Sequence, residues 1–545
     1  MLSRFRLAPE GAHSPAPFWP VCFRGGFRLA VAWLTAWLAI GCHEERCPHG
    51  LRRVVDQCVS VRTWCKSLSL RGELSADEQE RLCSDYRIVD GYVTGGDGQG
   101  FAAEGPWELV NGVGALAQDA AGNIYLAGTF SGRGRLGELE ARSQEKLDAF
   151  AMKLSPTLEP QWTVAFASAG DEYFRAMAVT QTGRVLLLRS VGPSTAEVTT
   201  PSGAPQALVV SNLDSAATKV ELLIALNAAD GAVTWATALA TQEVSTGGRT
   251  VIALDPEENA YVGSVVSGAS NADSNVQISK VDKQGRVLAQ VELGGPGQDV
   301  TPNLIFEPRS GRLVASFSTA GGFSLCGKTI EAGGCDDAVV ISLHPDELTR
   351  CTVVTQLRDP GRDVISALVA APSTEIYLIG YRAPESSRTD CSPLGVILGS
   401  QRMIVGKLSL QNGLEWLRAD LGTNTHTGGV TGVARVGREG GIAVAGTMTG
   451  QTSVGGGPLP VDPPRDELAS HAFVAEFNAQ GQHERSFAIA TTGSDFPFAL
   501  GMDGEGRLLL GGVVHSRSEL NVAATLKGTD KDLYNYAAML RLVPQ

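Results

Sequence analysis

From residue 106 to the C-terminus the chain repeats at a period of about 64 residues, and a unit of that length restricts the fold more than any other feature of the sequence. One column of the repeat is a turn followed by an apolar run, at Asp119–Gly128, Gly183–Leu188, Asn259–Gly263, Gly311–Ser316, Glu375–Gly380, Gly441–Gly446 and Gly506–Gly511. A second column is an apolar run with a turn after it, ending at Lys153-Leu154, Ala225-Leu226, Lys280-Val281, Ser342-Leu343, Lys407-Leu408, Glu476-Phe477 and Arg541-Leu542. Each column has seven members. The spacing of the first is (506 − 122)/6 = 64, and that of the second is (542 − 154)/6, about 65.

A third column supplies another short strand at Trp162–Phe166, Trp235–Leu239, Val287–Val291, Cys351–Thr355, Trp416–Asp420 and Ser486–Ile489. The seventh copy is missing because the chain stops at Gln545, and a matching strand stands before the first repeat at Trp107–Val110. One unit assembled from both chain ends leaves no sheet edge unpaired, which is how a propeller closes. The expected fold is all-β: seven four-stranded blades over 106–545, the last completed by an N-terminal strand. Small residues at the ends of the first-column strands suit the crowded inner rim, and Gly, at 64 residues, suits a chain made of turns.

The repeat resembles that of the bacterial seven-bladed propeller (SBBP-type) family, whose pattern runs Asp-x-x-Gly-Asn-x-Tyr-Val-x-Gly, then Asp-Ala-Phe-Val-x-Lys-Leu-Asp, then Gly-x-x-x-Trp. Residues 119–162 match it best, and Asp148–Leu154 and His471–Phe477 are close to its second part. Repeats two to four are degenerate. The resemblance implies an exported or surface protein and brings no catalytic motif.

At the other end of the chain, Arg24 and Arg28 precede the apolar run Leu29–Ile40, which as a helix would span only about 18 Å. A bilayer core needs about 20 residues, so this is a signal segment rather than an anchor helix. It ends in Leu38-Ala-Ile-Gly-Cys42, which resembles a bacterial lipobox. That resemblance implies cleavage before Cys42, acylation of its thiol and new amine, and lipid attachment to a membrane. His43 follows the Cys where Asp retains many lipoproteins in the inner membrane, so the expected address is the outer membrane or cell surface of a Gram-negative cell. An ordinary signal peptide with a coincidental Cys is the other reading, and both require export. Residues 1–28 are long and Pro-rich for a leader; a valine-codon start at Val21 would give one of normal length.

With Cys22 removed and Cys42 lipidated, eight cysteines remain in two groups: Cys47, Cys58, Cys65 and Cys83, then Cys326, Cys335, Cys351 and Cys391. Even counts in an oxidising compartment point to disulfides, with three connectivities open in each group. The expected pairs in the second group are Cys326 with Cys335 and Cys351 with Cys391, with Cys326–Cys391 as the alternative. Zinc is disfavoured, since the spacing holds no Cys-x2-Cys knuckle. Residues 42–90 then form a disulfide-stapled stalk, with a helix starting at the Ser75–Glu78 capping box, and 91–105 a Gly-rich linker.

Other motifs fail on inspection. Gly132–Gly137 imitates a dinucleotide fingerprint, but the next strand leads to Ser155-Pro156 where an acidic residue is wanted. Asp119, Asp230, Asp255, Asp282 and Asp503 recur in turns; Asp255–Asn259 comes nearest to a calcium loop but has Ala260 where Gly is needed, and Asx turns explain all five. Asn227–Trp235 resembles both a sialidase Asp box and the turn-plus-Trp signature of quinoprotein propellers, and packing is the expected role of Trp162, Trp235 and Trp416. The mature histidines are scattered, and no Gly-x-Ser-x-Gly marks a nucleophile.

The net charge is −13, and losing residues 1–41 (four Arg, one Glu) takes it to −13 − 3 = −16. Phosphate backbones need clustered cations, so no nucleic-acid partner is expected. The reading is a non-catalytic binding or scaffold module without a cofactor, held on a membrane by its lipid and presenting a protein or glycan ligand site on a propeller face. The insertions 192–219 and 381–400 would decorate that face. Two alternatives make separate predictions. An outer-membrane assembly factor of the barrel-assembly type would have eight blades, and a polysaccharide-active enzyme would line its axis with at least two carboxylates.

Overall fold

The computed structural model describes residues 51–54, 57–60, 86–96, 112–136, 139–167, 173–191, 197–199, 206–210, 220–240, 251–268, 273–331, 336–383, 402–422, 431–434, 440–449, 452–457, 459, 470–489, 495–514, 527–528 and 536–544. Among them there is no helix. Cys42, Cys47, Cys65, Cys83, Cys335 and Cys391, the apolar run 29–40 and the helix expected from Ser75 lie outside the described residues. Of the stalk, Leu51–Val54 and Gln57–Ser60 form an antiparallel hairpin that carries Cys58.

The repeats are seven blades, each a four-stranded antiparallel sheet in simple up-and-down order. In blade one the strands, from inner to outer, are Gly112–Gln118, Ile124–Leu136, Leu139–Leu154 and Pro160–Ala167. Blades two to six follow with inner strands Tyr173–Val179, Ile252–Leu254, Asp299–Glu307, Arg362–Ala370 and Thr431–Ala434, and blade seven begins at Phe496–Met502. Each inner strand touches the inner strand of the next blade, and that of blade seven touches that of blade one, so the ring is closed. The three columns of the repeat are the second, third and outer strands of the blades.

Closure is made by a different segment from the one expected. The outer strand of blade seven is Tyr86–Gly96, paired antiparallel with Tyr536–Pro544, from Tyr86↔Pro544 to Thr94↔Ala537. Its last residues, Gly95 and Gly96, pair with Arg135 and Gly134 of blade one, so one strand joins the first and last blades. Trp107–Val110 lies outside the described residues. The stalk drawn to residue 90 and the linker drawn from 91 therefore run into the propeller. Tyr86-Arg-Ile-Val-Asp-Gly-Tyr-Val93 has the β-branched and aromatic content of a strand, and a Gly-rich run of linker composition follows it.

The core lies between blades. Apolar residues at alternate positions on both faces of the middle strands pack against the neighbouring sheets, and Tyr125, Phe150, Leu187, Ile224, Tyr261, Ile341, Ile379 and Phe473 are fully enclosed. Crowding at the rim explains the small residues of the first column: a Cβ on Gly380 would lie 1.9 Å from the Val364 carbonyl oxygen, where the inner strand bulges between Ile365 and Ala367.

Candidate functional site

Antiparallel order sends the connections alternately to the two ends of the ring, and the ends differ. At one end, inner strands join second strands and third strands join outer strands through short turns such as 119–123, 155–159, 228–232, 255–259, 282–286, 410–412 and 478–482; the longest is 435–441. At the other end lie the connections 192–219, 320–336, 384–401, 450–469 and 515–535, between second and third strands. The expected insertions at 192–219 and 381–400 are both there, although 381–383 completes a strand of blade five. Within 192–219, Glu197–Thr199 pairs with Ala165–Ala167, so a connection of blade two extends the outer edge of blade one.

The tight-turn end is made of Asx turns. Asp119 Oδ1 accepts the Ala121 and Asn123 N–H groups at 3.0 and 2.9 Å, and its Oδ2 accepts the Tyr125 hydroxyl at 2.9 Å. Asp255, Asp282 and Asp503 cap their turns in the same way, and Asp230 accepts the Ala232 N–H. Burial pushes the Asp119 carboxyl up, but hydrogen bonds from Asn123, Tyr125 and Ala121 outweigh it and hold the group below its ordinary range. The oxygens that a calcium loop would use are therefore occupied by backbone and side-chain donors.

The same end locks the blades together with one recurring contact. A carbonyl one or two residues past the third strand of a blade accepts a donor from the preceding blade. Lys153 Nζ and Trp162 Nε1 donate to Ala228 at 2.9 and 3.1 Å, Trp235 to Lys283 at 3.2 Å, Lys280 to Pro345 at 3.0 Å, Trp416 to Ala479 at 3.1 Å, and Arg541 to Pro156 at 2.9 Å. The tryptophan rings lie flat on glycines: a Cβ on Gly231, Gly285 or Gly481 would approach the facing ring to within 2.8 to 2.9 Å. Trp162, Trp235 and Trp416 are thus packing residues between blades, as the sequence indicates.

The loop-bearing end carries buried charge instead. Asp299, Asp363 and Asp495 occupy equivalent places where the chain enters an inner strand, and they are 1%, 0% and 0% exposed. Asp363 accepts Arg382 Nε at 2.7 Å and the Asp359 N–H at 2.8 Å, while its own N–H donates to the Asp336 carbonyl across the seam. Asp495 donates its N–H to the Ser470 carbonyl in the same way and has His471 Nδ1 at 4.0 Å. Arg189, fully buried, lies over the Phe166 ring at 5.2 Å, and the Ser264 hydroxyl donates to Glu221.

These seam residues were not singled out from the sequence. Their signal is an Asp followed five residues later by Leu, as in Asp299…Leu304, Asp363…Leu368 and Asp495…Leu500. They also bear on enzyme chemistry. The inner strands' only described carboxylates are Asp299, Glu307 and Asp363, all buried and each accepting at least one local N–H; Glu307 accepts the Arg309 and Ser310 N–H groups. No carboxylate pair among the described residues faces the axis from an inner strand.

The described cysteines give one bond, Cys326–Cys351, with Cα atoms 5.2 Å apart. This overturns both expected pairs, Cys326–Cys335 and Cys351–Cys391, and the alternative Cys326–Cys391. The cause is a small hairpin, Phe323–Leu325 with Lys328–Ile330, which turns Cys326 back onto the outer strand of its own blade. Arg133–Arg135 of the apparent dinucleotide motif pair in a long β-hairpin with 140–142, a geometry unlike a phosphate loop. No group of three or more His, Cys, Asp or Glu side chains among the described residues is arranged to hold a metal ion.

No protein-family model matches the chain, and no curated protein does. Several solved structures align with the chain at low similarity. A polysaccharide lyase, Uly1, aligns over 84% of this chain and 98% of its own at 10% identity and a TM-score of 0.41. BamB from Moraxella catarrhalis aligns over 78% and 95% at 12% identity and a TM-score of 0.34. Quinohemoprotein alcohol dehydrogenase from Comamonas testosteroni aligns over 84% and 76% at 10% identity and a TM-score of 0.34. Similarity this low carries no argument about chemistry.

Proposed function

We propose that this chain is an exported, lipid-anchored, non-catalytic binding or scaffold module whose ligand, a protein or a glycan, is taken by the loop-bearing end of the propeller. The observation that carries the reading is the asymmetry of the ring. Tight Asx turns and interblade latches close one end, whereas the other gathers the long connections that a rigid scaffold uses for recognition. Attachment through Cys42 and an outer-membrane or cell-surface address rest on the lipobox resemblance.

The test is a pull-down from detergent-solubilised membranes with C-terminally tagged protein, run beside a variant in which 384–401 is replaced by a short Gly-Ser turn. A stoichiometric partner that disappears when a loop is shortened, and persists when the surface of the turns at 181–184 and 283–284 is altered, supports the reading. A partner indifferent to the loops overturns it. Cys42→Ser, with fatty-acid labelling, tests the anchor separately: the label and membrane retention should both be lost.

A further inference from the structure

The three equivalent seam carboxylates differ in the side chain that stands beside them. Asp363 has Arg382, a permanent cation, and Asp495 has His471 beside it. Asp299 has no ion-pair partner among the described residues. Its Oδ2 accepts the Gly295 N–H at 2.7 Å, while its Oδ1 is buried without a hydrogen-bond partner.

The groups around Asp299 are mostly acceptors or acids. Asp273, just before the third strand of blade three, takes the Gly297 N–H at 2.9 Å. Asp336, before the third strand of blade four, is paired with Arg362. Asn275 presents a buried, unpartnered Oδ1 and is held from behind by Glu292 at 2.5 Å. The Thr319 hydroxyl and the Gly295 N–H are the donors that face the carboxyl. The connection 294–298 is pressed onto this cluster and onto the next loop. A Cβ on Gly294 would stand 2.3 Å from Asn275 Oδ1 and 2.4 Å from Asp299 Oδ2, and one on Gly321 would stand 1.9 Å from the Pro296 carbonyl. The Ala320 N–H donates to the Gln298 carbonyl at 3.1 Å.

We propose that the junction of blades three and four is a proton-dependent joint: a proton on Asp299 closes the connection 294–298 against the hairpin 323–330, and loss of that proton loosens this sector of the loop-bearing end. A proton suits the site, since it removes one of three crowded negative charges from a carboxyl whose Oδ1 is buried without a donor, and burial outweighs the Gly295 and Thr319 hydrogen bonds that favour the ionised form. Burial first, with the charges of Asp273 and Asp336 adding to it, raises Asp299 from the ordinary 3.8 to about 6. A raised carboxyl stabilises the closed form fully below the ordinary value. That contribution falls between about pH 4 and pH 6 and stays lost above.

Hydrogen exchange of the full chain at pH 4.5 and pH 7.5, corrected for intrinsic rates, tests the joint. Opening of 294–299 and 320–330 is expected to be about tenfold greater at pH 7.5, within the range that a shift of this size allows. The segment 359–363, neutralised by Arg382, should not change. In Asp299→Asn the pH dependence should vanish. Equal protection of the wild type at both pH values, or a pH dependence that survives Asp299→Asn, overturns the proposal. Should that variant fail to fold, Asp273→Asn serves instead: it must move the midpoint to lower pH, and an unmoved midpoint is equally fatal.

Discussion

The two ends of the ring solve the same problem, sealing the joints between blades, by different means. At the tight-turn end the solution is one contact used repeatedly, a carbonyl of one blade receiving an N–H from Lys, Arg or Trp of the blade before. At the loop-bearing end the Asp is kept while the side chain beside it changes from Arg382 to His471 to neither. Repetition marks the positions that packing dictates, because every blade must meet its neighbour at the same distance there. Variation marks the end where the chain is free to specialise.

The largest expected effect breaks the repeated contact at its best-buried tryptophan. Trp162→Ala removes a ring that is 6% exposed, vacates the surface of Gly231 and deletes a donor to Ala228. A loss of about 4 kcal/mol is expected in urea denaturation, largely insensitive to salt, because the contact is packing rather than charge. A loss below about 1 kcal/mol would mean that the tryptophan latch does not hold the ring.

At the opposite end, Asp363→Ala should cost about 3 kcal/mol, since it strips Arg382 and the Asp359 N–H of an acceptor inside a seam. Asp363→Ala with Arg382→Met should recover part of that loss, as paired removal of a buried ion pair does. Non-recovery would show that Asp363 acts through its turn and not through its cation. Between the two in character is the disulfide. Cys326→Ser with Cys351→Ser should cost about 2 to 3 kcal/mol for a closed loop of 25 residues. Peptide mapping of the unreduced protein must find the Cys326–Cys351 peptide, and a Cys326–Cys335 or Cys351–Cys391 peptide would contradict the structure.

The same contrast explains what could be read from the sequence. The second, third and outer strands were visible because each buries an apolar face in a fixed place in every repeat, and the capping Asp119, Asp255, Asp282 and Asp503 because their turns are local. Tyr86–Gly96 was not read as the closing strand, because its partner Tyr536–Pro544 lies at the far end of the chain and no local pattern records that pairing. Nor does cysteine spacing encode the hairpin that turns Cys326 toward Cys351. The seam Asps escaped for a third reason. One acidic residue before a strand looks like solvated surface until the neighbouring blade covers it.

The smallest effect distinguishes a shared latch from a solitary one. Lys280 Nζ donates to the Pro345 carbonyl at 3.0 Å and lies 5.4 Å from the Tyr261 ring centre. The Tyr261 hydroxyl also reaches that carbonyl at 3.3 Å, but it donates to Asp255 at 3.0 Å, and one proton does not serve both acceptors. Lys280→Met keeps the apolar stem and removes the donor, so Pro345 is left without one of its own. The expected loss is about 1 kcal/mol. Lys153→Met makes the same change two seams earlier in the ring, where Trp162 Nε1 still donates to Ala228 at 3.1 Å, and about half that loss is expected. Equal losses would show that the lysines act through their charge near the turns, as with Asp346 at 3.7 Å from Lys280, and would be screened by salt. Unequal losses that salt does not change would make the unsatisfied carbonyl the quantity that seals this end of the ring.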